Sequence, residues 1–109
     1  MTRRVVATGV GENGIVPDRI DLAQNYPNPF NPVTAIRYQI PQKATVKLEI
    51  FDVLGRKVQT LVNKENLPGS YVVEWDGKTS HGISASTGIY FYSLTVGDRL
   101  MTKKMVLLK

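Results

Sequence analysis

The sequence has no cysteine, a single histidine, and no apolar run near the ~18 residues that a membrane-spanning helix needs. Without cysteine there is no disulfide, no thiolate nucleophile and no cysteine-bearing zinc site. The compartment stays open, since exported bacterial proteins also dispense with cysteine. Charge of one sign is never massed. The net charge is +5, but no five like charges stand in a row, so a nucleic-acid partner is not indicated. The first residues, MTRRVVATGVGENG, are basic but reach Gly9 and Gly11 before any apolar core, so they do not read as a signal peptide. Helical periodicity is missing throughout.

What is present is one small domain. At 109 residues, 42% of them hydrophobic, the chain supports a single core and leaves little room for a deep pocket. Residues 1–19 hold three glycines and a proline and read as a linker or the end of an upstream carrier domain, with a short strand at Arg4 to Ala7. From Ile20 onward strands alternate with turn signals. In TAIRYQI, Ile36, Tyr38 and Ile40 share one face; in TVKLEIF, Val46, Leu48 and Ile50 do. Period two with one polar face marks a half-buried antiparallel strand. DVLGR follows, where Asp52 can bond the turn backbone and Gly55 supplies a positive φ for a bulged hairpin. Lys57 to Val62 reads as the return strand, Asn63 to Gly69 as a polar loop, and Ser70 to Trp75 as a strand with Tyr71, Val73 and Trp75 inward. DGKTSHG is a turn-rich loop, and ISAST a short edge strand.

The last two segments, GIYFYSLTV and RLMTKKMVLL, flank Gly97-Asp98, a glycine-first hairpin signal. That turn pairs Leu94 with Met101, Tyr90 with Met105, Ile89 with Val106 and Tyr92 with Lys103, whose stem can lie along the ring. Together these features predict an all-β fold: an immunoglobulin-like antiparallel β-sandwich of about seven strands, with Trp75 as a core anchor.

YPNPFNP is the oddest stretch. Pro27, Pro29 and Pro32 each fix φ and remove an N–H, and push Tyr26, Asn28 and Asn31 towards extended geometry. The segment is expected to be a stiff, polyproline-like strap, with Phe30 plugging one end of the sandwich. Pro29 to Pro32 also fits P-x-x-P, but no basic anchor stands beside it. Prolines there would also block sheet-edge pairing.

A search for chemistry gives little. His81 lies in a glycine-rich loop near Asp76 and Ser80, with no rigid element to hold a triad. DGKTSHG lacks the alternating acids and distal Glu of a calcium loop, and GKTS lacks the rest of a phosphate loop. Glu49, Asp52, Glu74 and Asp98 form no deducible acid pair. No catalytic residue, metal or cofactor is expected. Past Asp98 come Arg99, Lys103, Lys104 and Lys109 with no acid among them, which suits a solvated face or a dock for an anionic surface.

Taken together, LAQNYPNPFNPVTAIRYQIP, VKLEIFDVLGRKVQTLV and PGSYVVEWDGKTSHGISASTGIYFYSLTVGDRLMTKKMVLLK resemble the C-terminal sorting domain of the type IX (Por) secretion system, type A. The resemblance runs from about Leu22 to Lys109. Its marks are the strap Pro27-Asn28-Pro29-Phe30-Asn31-Pro32, Asp52 and Gly55 of DVLGR, the Trp75-Asp76-Gly77 hairpin, and TGIYFYSL where the family usually has SGVY. The family is related to the Ig-like domain of the flagellar hook-capping protein, which shares W-D-G. The resemblance implies that residues 20–109 are a non-catalytic sorting domain at the end of a larger secreted protein. It also implies an outer-membrane type IX translocon, a sortase-like protease acting in the preceding linker, a covalently linked N-terminal carrier, and attachment to anionic lipopolysaccharide or release. The carrier would bring its own signal peptide, and the protein would pass through the periplasm to the cell surface or medium. On this reading the last hairpin is the address: Gly88 frees the backbone, Tyr90 and Tyr92 set the packing, and Lys103, Lys104 and Lys109 offer charge to the translocon. The sandwich would close only once the last strand had been made. The alternatives are a structural assembly module of hook-cap type, or an accessory adhesion module of a secreted enzyme, which would want a row of exposed aromatics.

Overall fold

Alternation in the sequence becomes alternation in burial. Thr34–Ile40 forms a strand, β3, whose Ile36, Tyr38 and Ile40 are buried while Arg37 is exposed. The computed structural model describes residues 5–7 and 16–109, and these hold eight strands. The others are β1 (Val5–Ala7), β2 (Asp21–Leu22), β4 (Ala44–Asp52), β5 (Lys57–Asn66), β6 (Gly69–Trp75), β7 (Gly88–Val96) and β8 (Arg99–Leu107). Two four-stranded sheets, ordered β1-β6-β3-β2 and β5-β4-β7-β8, are antiparallel throughout. The protein is an all-β, Ig-like sandwich.

The core lies between the sheets. β3 and β6 present Ile36, Tyr38, Tyr71, Val73 and Trp75; β4 and β7 present Val46, Leu48, Ile50, Tyr92 and Leu94. Each fully buried aliphatic contributes about 1.5–3 kcal/mol against its exposed state. The stacked rings of Tyr38 and Tyr71, 5.2 Å apart, add an aromatic pair across β3 and β6. Burial pushes both hydroxyls above their ordinary pKa, and each donates, Tyr38 to Asn66 Oδ1 at 2.6 Å and Tyr71 to the Leu67 carbonyl at 2.6 Å.

The DVLGR turn forms as its residues dictate. Asp52 Oδ1 accepts from the N–H groups of Leu54 and Arg56, both at 3.0 Å, and Gly55 takes φ +81°. The Arg56 backbone N–H is the largest influence holding the Asp52 carboxyl below its usual range. Register shifts after Leu48 and Ile50 mark bulges that twist the β4–β5 ribbon.

Three expectations need correction. The loop expected from Asn63 to Gly69 is mostly strand, because β5 runs on to Asn66 and pairs Asn63–Asn66 with residues 44–47 of β4. The edge strand expected at ISAST is only an isolated bridge, Ser84 with Lys78. There the Thr79 hydroxyl accepts from the His81 and Ile83 N–H groups, and such local bonds compete with a ladder. The strap is not an extended polyproline-like rod either. It runs as bends between two isolated bridges, Tyr26 with Ala35 and Phe30 with Leu107.

The strand expected near Arg4 spans Val5–Ala7 and pairs with β6. Arg4 and most of the linker expected at 1–19, with any cleavage point in it, lie outside the described residues.

Candidate functional site

The last hairpin is a regular two-strand unit. β7 and β8 pair over nine consecutive residues without a bulge, in the register the Gly97-Asp98 turn predicts, Tyr90 with Met105 and Tyr92 with Lys103 included. Gly97 sits at φ +59°, which favours glycine, and among the described residues no non-glycine residue has a positive φ. Tyr90, Tyr92, Leu94 and Val96 of β7 face the core with Met105 and Leu107 of β8. Gly88, half-buried, opens β7.

Against the outer edge of β8 lies the proline strap. The Phe30 N–H donates to the Val106 carbonyl at 3.0 Å, and the Leu108 N–H donates to the Phe30 carbonyl at 3.0 Å. Asn28 Oδ1 accepts from the Val106 N–H at 2.9 Å, and Gln24 Nε2 donates to the Lys104 carbonyl at 2.7 Å. The bridge between Phe30 and Leu107 is parallel, so the strap acts as a short, side-chain-assisted strand on the second sheet. Prolines suit this place because an outermost segment need not donate on both sides.

Phe30 is 2% exposed and meets Trp75, itself fully buried, at 5.7 Å between ring centroids. Trp75 also meets Tyr90 edge-on at 5.6 Å. Its indole N–H donates to the Lys78 carbonyl at 2.9 Å, so the anchor is satisfied at its polar end. Asp76 Oδ1 accepts from the Lys78 N–H at 3.1 Å, and Gly77, at φ +75°, lets the Pro32 carbonyl pass where a Cβ would stand 2.9 Å from its oxygen. The W-D-G motif thus seats the strap's last proline. Pro29, Asn31 and Pro32 are exposed.

A second contact joins the hairpin to the residues just ahead of the strap, with little local sign of it in the sequence. The Tyr92 hydroxyl accepts from the Asn25 N–H at 2.8 Å and donates to the Ala23 carbonyl at 2.7 Å. Burial is the main reason its pKa is pushed up to about 12. Asn25, buried, donates through Nδ2 to Thr34 Oγ1 at 3.0 Å and the Pro27 carbonyl at 3.1 Å. The only local hint was two small polar residues flanking the prolines.

The cations are arranged differently from the tyrosines. Arg99, Lys104 and Lys109 are exposed and Lys103 half-buried. Ion pairs among the described residues are Arg56 with Asp52 at 2.9 Å and Lys57 with Glu49 at 3.3 Å, so the hairpin cations are not neutralised there. The Lys109 N–H donates to Thr87 Oγ1 at 3.1 Å. His81 is exposed, and no group of three His, Asp or Glu side chains among the described residues could hold a metal ion. A groove of about 460 Å³ beside the β4–β5 turn is lined by Asp52, Leu54, Arg56, Ser84 and Ile89 among others, and its acid and base pair with each other.

Three comparisons bear on this arrangement. A family model for the FlgD Ig-like domain matches residues 31–99. The structure of dimeric latent PorU from Porphyromonas gingivalis is similar at TM-score 0.66 and 26% identity, over 87% of this chain and 10% of that one. PorZ, described as an essential bacterial surface component of the type-IX secretion system of Porphyromonas gingivalis, shares the fold at TM-score 0.54 and 15% identity, over 84% of this chain and 12% of that one. This chain therefore spans about a tenth of the length of either structure. No curated protein sequence matches it. These findings accord with the resemblance drawn from the sequence motifs. The strap residues up to Phe30 and nearly all of β8, which bond to each other, lie outside the matched stretch of residues, whereas Trp75, Asp76 and Gly77 lie inside it, and with the matched span covering most of the sandwich the chain belongs to the FlgD Ig-like domain family.

Proposed function

We propose that residues 20–109 are a non-catalytic sorting domain that directs a covalently linked carrier across the outer membrane by type IX secretion. The carrier would be cut from it in the preceding linker, residues 1–19, by a sortase-like protease. It would then be released or attached at the cell surface to anionic lipopolysaccharide. One observation carries this reading: a basic hairpin, whose Arg99, Lys104 and Lys109 have no ion-pair partner among the described residues, is bonded to an Ig-like sandwich along β7 and, at residues 104–108, to the proline strap. The likeness to PorU over 87% of this chain supports it.

In this role Tyr90 and Tyr92 act through packing, since both are buried. Tyr92 ties the hairpin to residues 23 and 25, and Gly88 sets where β7 begins. Lys103, Lys104 and Lys109 meet the translocon. The test is to fuse the 109-residue chain to a signal-peptide-bearing reporter in a bacterium with an active type IX system. Reporter at the surface or in the medium, lost when the translocon is deleted, supports sorting. Folded, full-length fusion retained in the periplasm sinks it.

The second reading is a structural assembly module of hook-cap type, favoured by the family match over residues 31–99. It predicts self-association or scaffold binding without translocon-dependent export.

A further inference from the structure

The strap covers only part of the β8 edge. Its bonds reach Lys104 O, Val106 N and O, and Leu108 N, all on even-numbered residues. In an antiparallel strand, alternate residues aim their N–H and C=O at opposite neighbours. The even-numbered groups of β8 therefore point away from β7, and those of Leu100 and Thr102, with the Lys104 N–H, point the same way as the groups the strap engages. Among the described residues no hydrogen bond to them appears. This stretch is regularly paired to β7, unbulged and free of proline, the features that leave an edge competent to pair. The other long edge, β5, is treated differently. Bulges twist it, and the Ser80 N–H donates to its Val58 carbonyl at 2.9 Å.

We propose that the open edge of β8 from Arg99 to Lys103 is a docking edge that takes an acidic, extended peptide segment of another protein as a fifth strand of the second sheet. The strap shows on the same edge that such a strand fits, and the incoming segment would continue the line the strap has begun. Arg99, Lys103 and Lys104 set the charge, and Leu100, 66% exposed, with half-buried Met101 supplies apolar contact. Backbone bonds give affinity in this mode and side chains give selectivity. A second copy of this chain is the poorer occupant, because it would bring the same cations against these, and like charges opposite each other in a sheet destabilise. The proposal rests on the sorting reading for the partner's identity, a component of the export apparatus. The edge itself is testable without export.

The experiment is amide hydrogen exchange followed by NMR on the full chain. The probe is a blocked seven-residue peptide of alternating Glu and Val, compared with its Lys-Val counterpart. The acidic peptide should slow exchange at Leu100, Thr102 and Lys104 by about tenfold or more, leave Met101 and Lys103 unchanged, and outdo the basic one. Thr102→Pro removes an outward N–H that β7 does not use, and should abolish the effect. Arg99→Glu with Lys103→Glu, which keeps every backbone donor, should reverse the preference between the peptides. No protection, equal protection by both peptides, or protection only at the groove near Asp52 would overturn the proposal. So would binding to phosphatidylglycerol vesicles with no acidic-peptide protection at these amides. If the edge behaves as expected but the reporter fusion stays in the periplasm, the sorting reading fails and the docking edge stands.

Discussion

The hydroxyl of Tyr92 accepts a hydrogen bond from the backbone N–H of Asn25, 67 residues away in sequence, at 2.8 Å, in a site closed to solvent. With its own bond to the Ala23 carbonyl, one phenol satisfies two backbone groups where the chain enters the strap.

Tyr92→Phe should therefore leave both groups without a partner and cost about 1–3 kcal/mol, read from the urea midpoint at unchanged slope. The pH dependence follows from the same burial. A folded-state pKa of about 12 against an ordinary 10.0 means the neutral hydroxyl is favoured in the fold. Its contribution is intact below pH 10.0 and is lost as pH rises towards 12. The variant should show a shallower alkaline loss than the parent. Identical alkaline limbs would contradict the assignment.

Phe30→Ala should be the most damaging change in the strap, at about 3–5 kcal/mol, because it empties a site packed on Trp75. Phe30→Leu should keep most of that, with a smaller fall in Tm. Exchange at the Val106 and Leu108 amides should quicken in both variants, in proportion to the loss of the strap's seat.

Gly77 and Gly55 share a positive φ, but only Gly77 has a neighbour where a Cβ would stand, the Pro32 carbonyl oxygen at 2.9 Å. Gly77→Ala should combine backbone strain with a clash and cost about 1–3 kcal/mol beyond Gly55→Ala. Parallel thermal melts decide this. Equal losses would mean the strap gives way freely at Pro32.

Lys103→Glu with Lys104→Glu should lower export of a fused reporter severalfold while leaving the melting temperature within a few degrees, since neither lysine has an ion-pair partner among the described residues. Normal export of the folded double variant would leave shape, not charge, as the recognised feature.

Much of the sandwich was legible because strand patterns are local. The inward set Ile36, Tyr38, Ile40 and the register of β7 on β8 follow from a period of two and a Gly-Asp turn. The β5 extension was hidden because Asn63, Lys64 and Glu65 are polar and exposed, and Asn66 is a buried polar residue whose Oδ1 accepts from the distant Tyr38 hydroxyl. Phe30 could be read as a plug from its isolation among prolines. The bonding of the strap to β8 could not, because Asn28 meets Val106 across 78 residues and nothing near either residue announces the other.

The parallel course of strap and β8 has a mechanical consequence. Tension applied between a passenger tethered ahead of the strap and Lys109 pulls the two segments in opposite directions along their shared line. The bonds of Gln24, Asn28 and Phe30 to residues 104–108 are then loaded in shear, together rather than one after another. A joint of that geometry resists traction far better than one that unzips, so a carrier dragged through a narrow passage would stretch its linker before it stripped the hairpin from the sandwich.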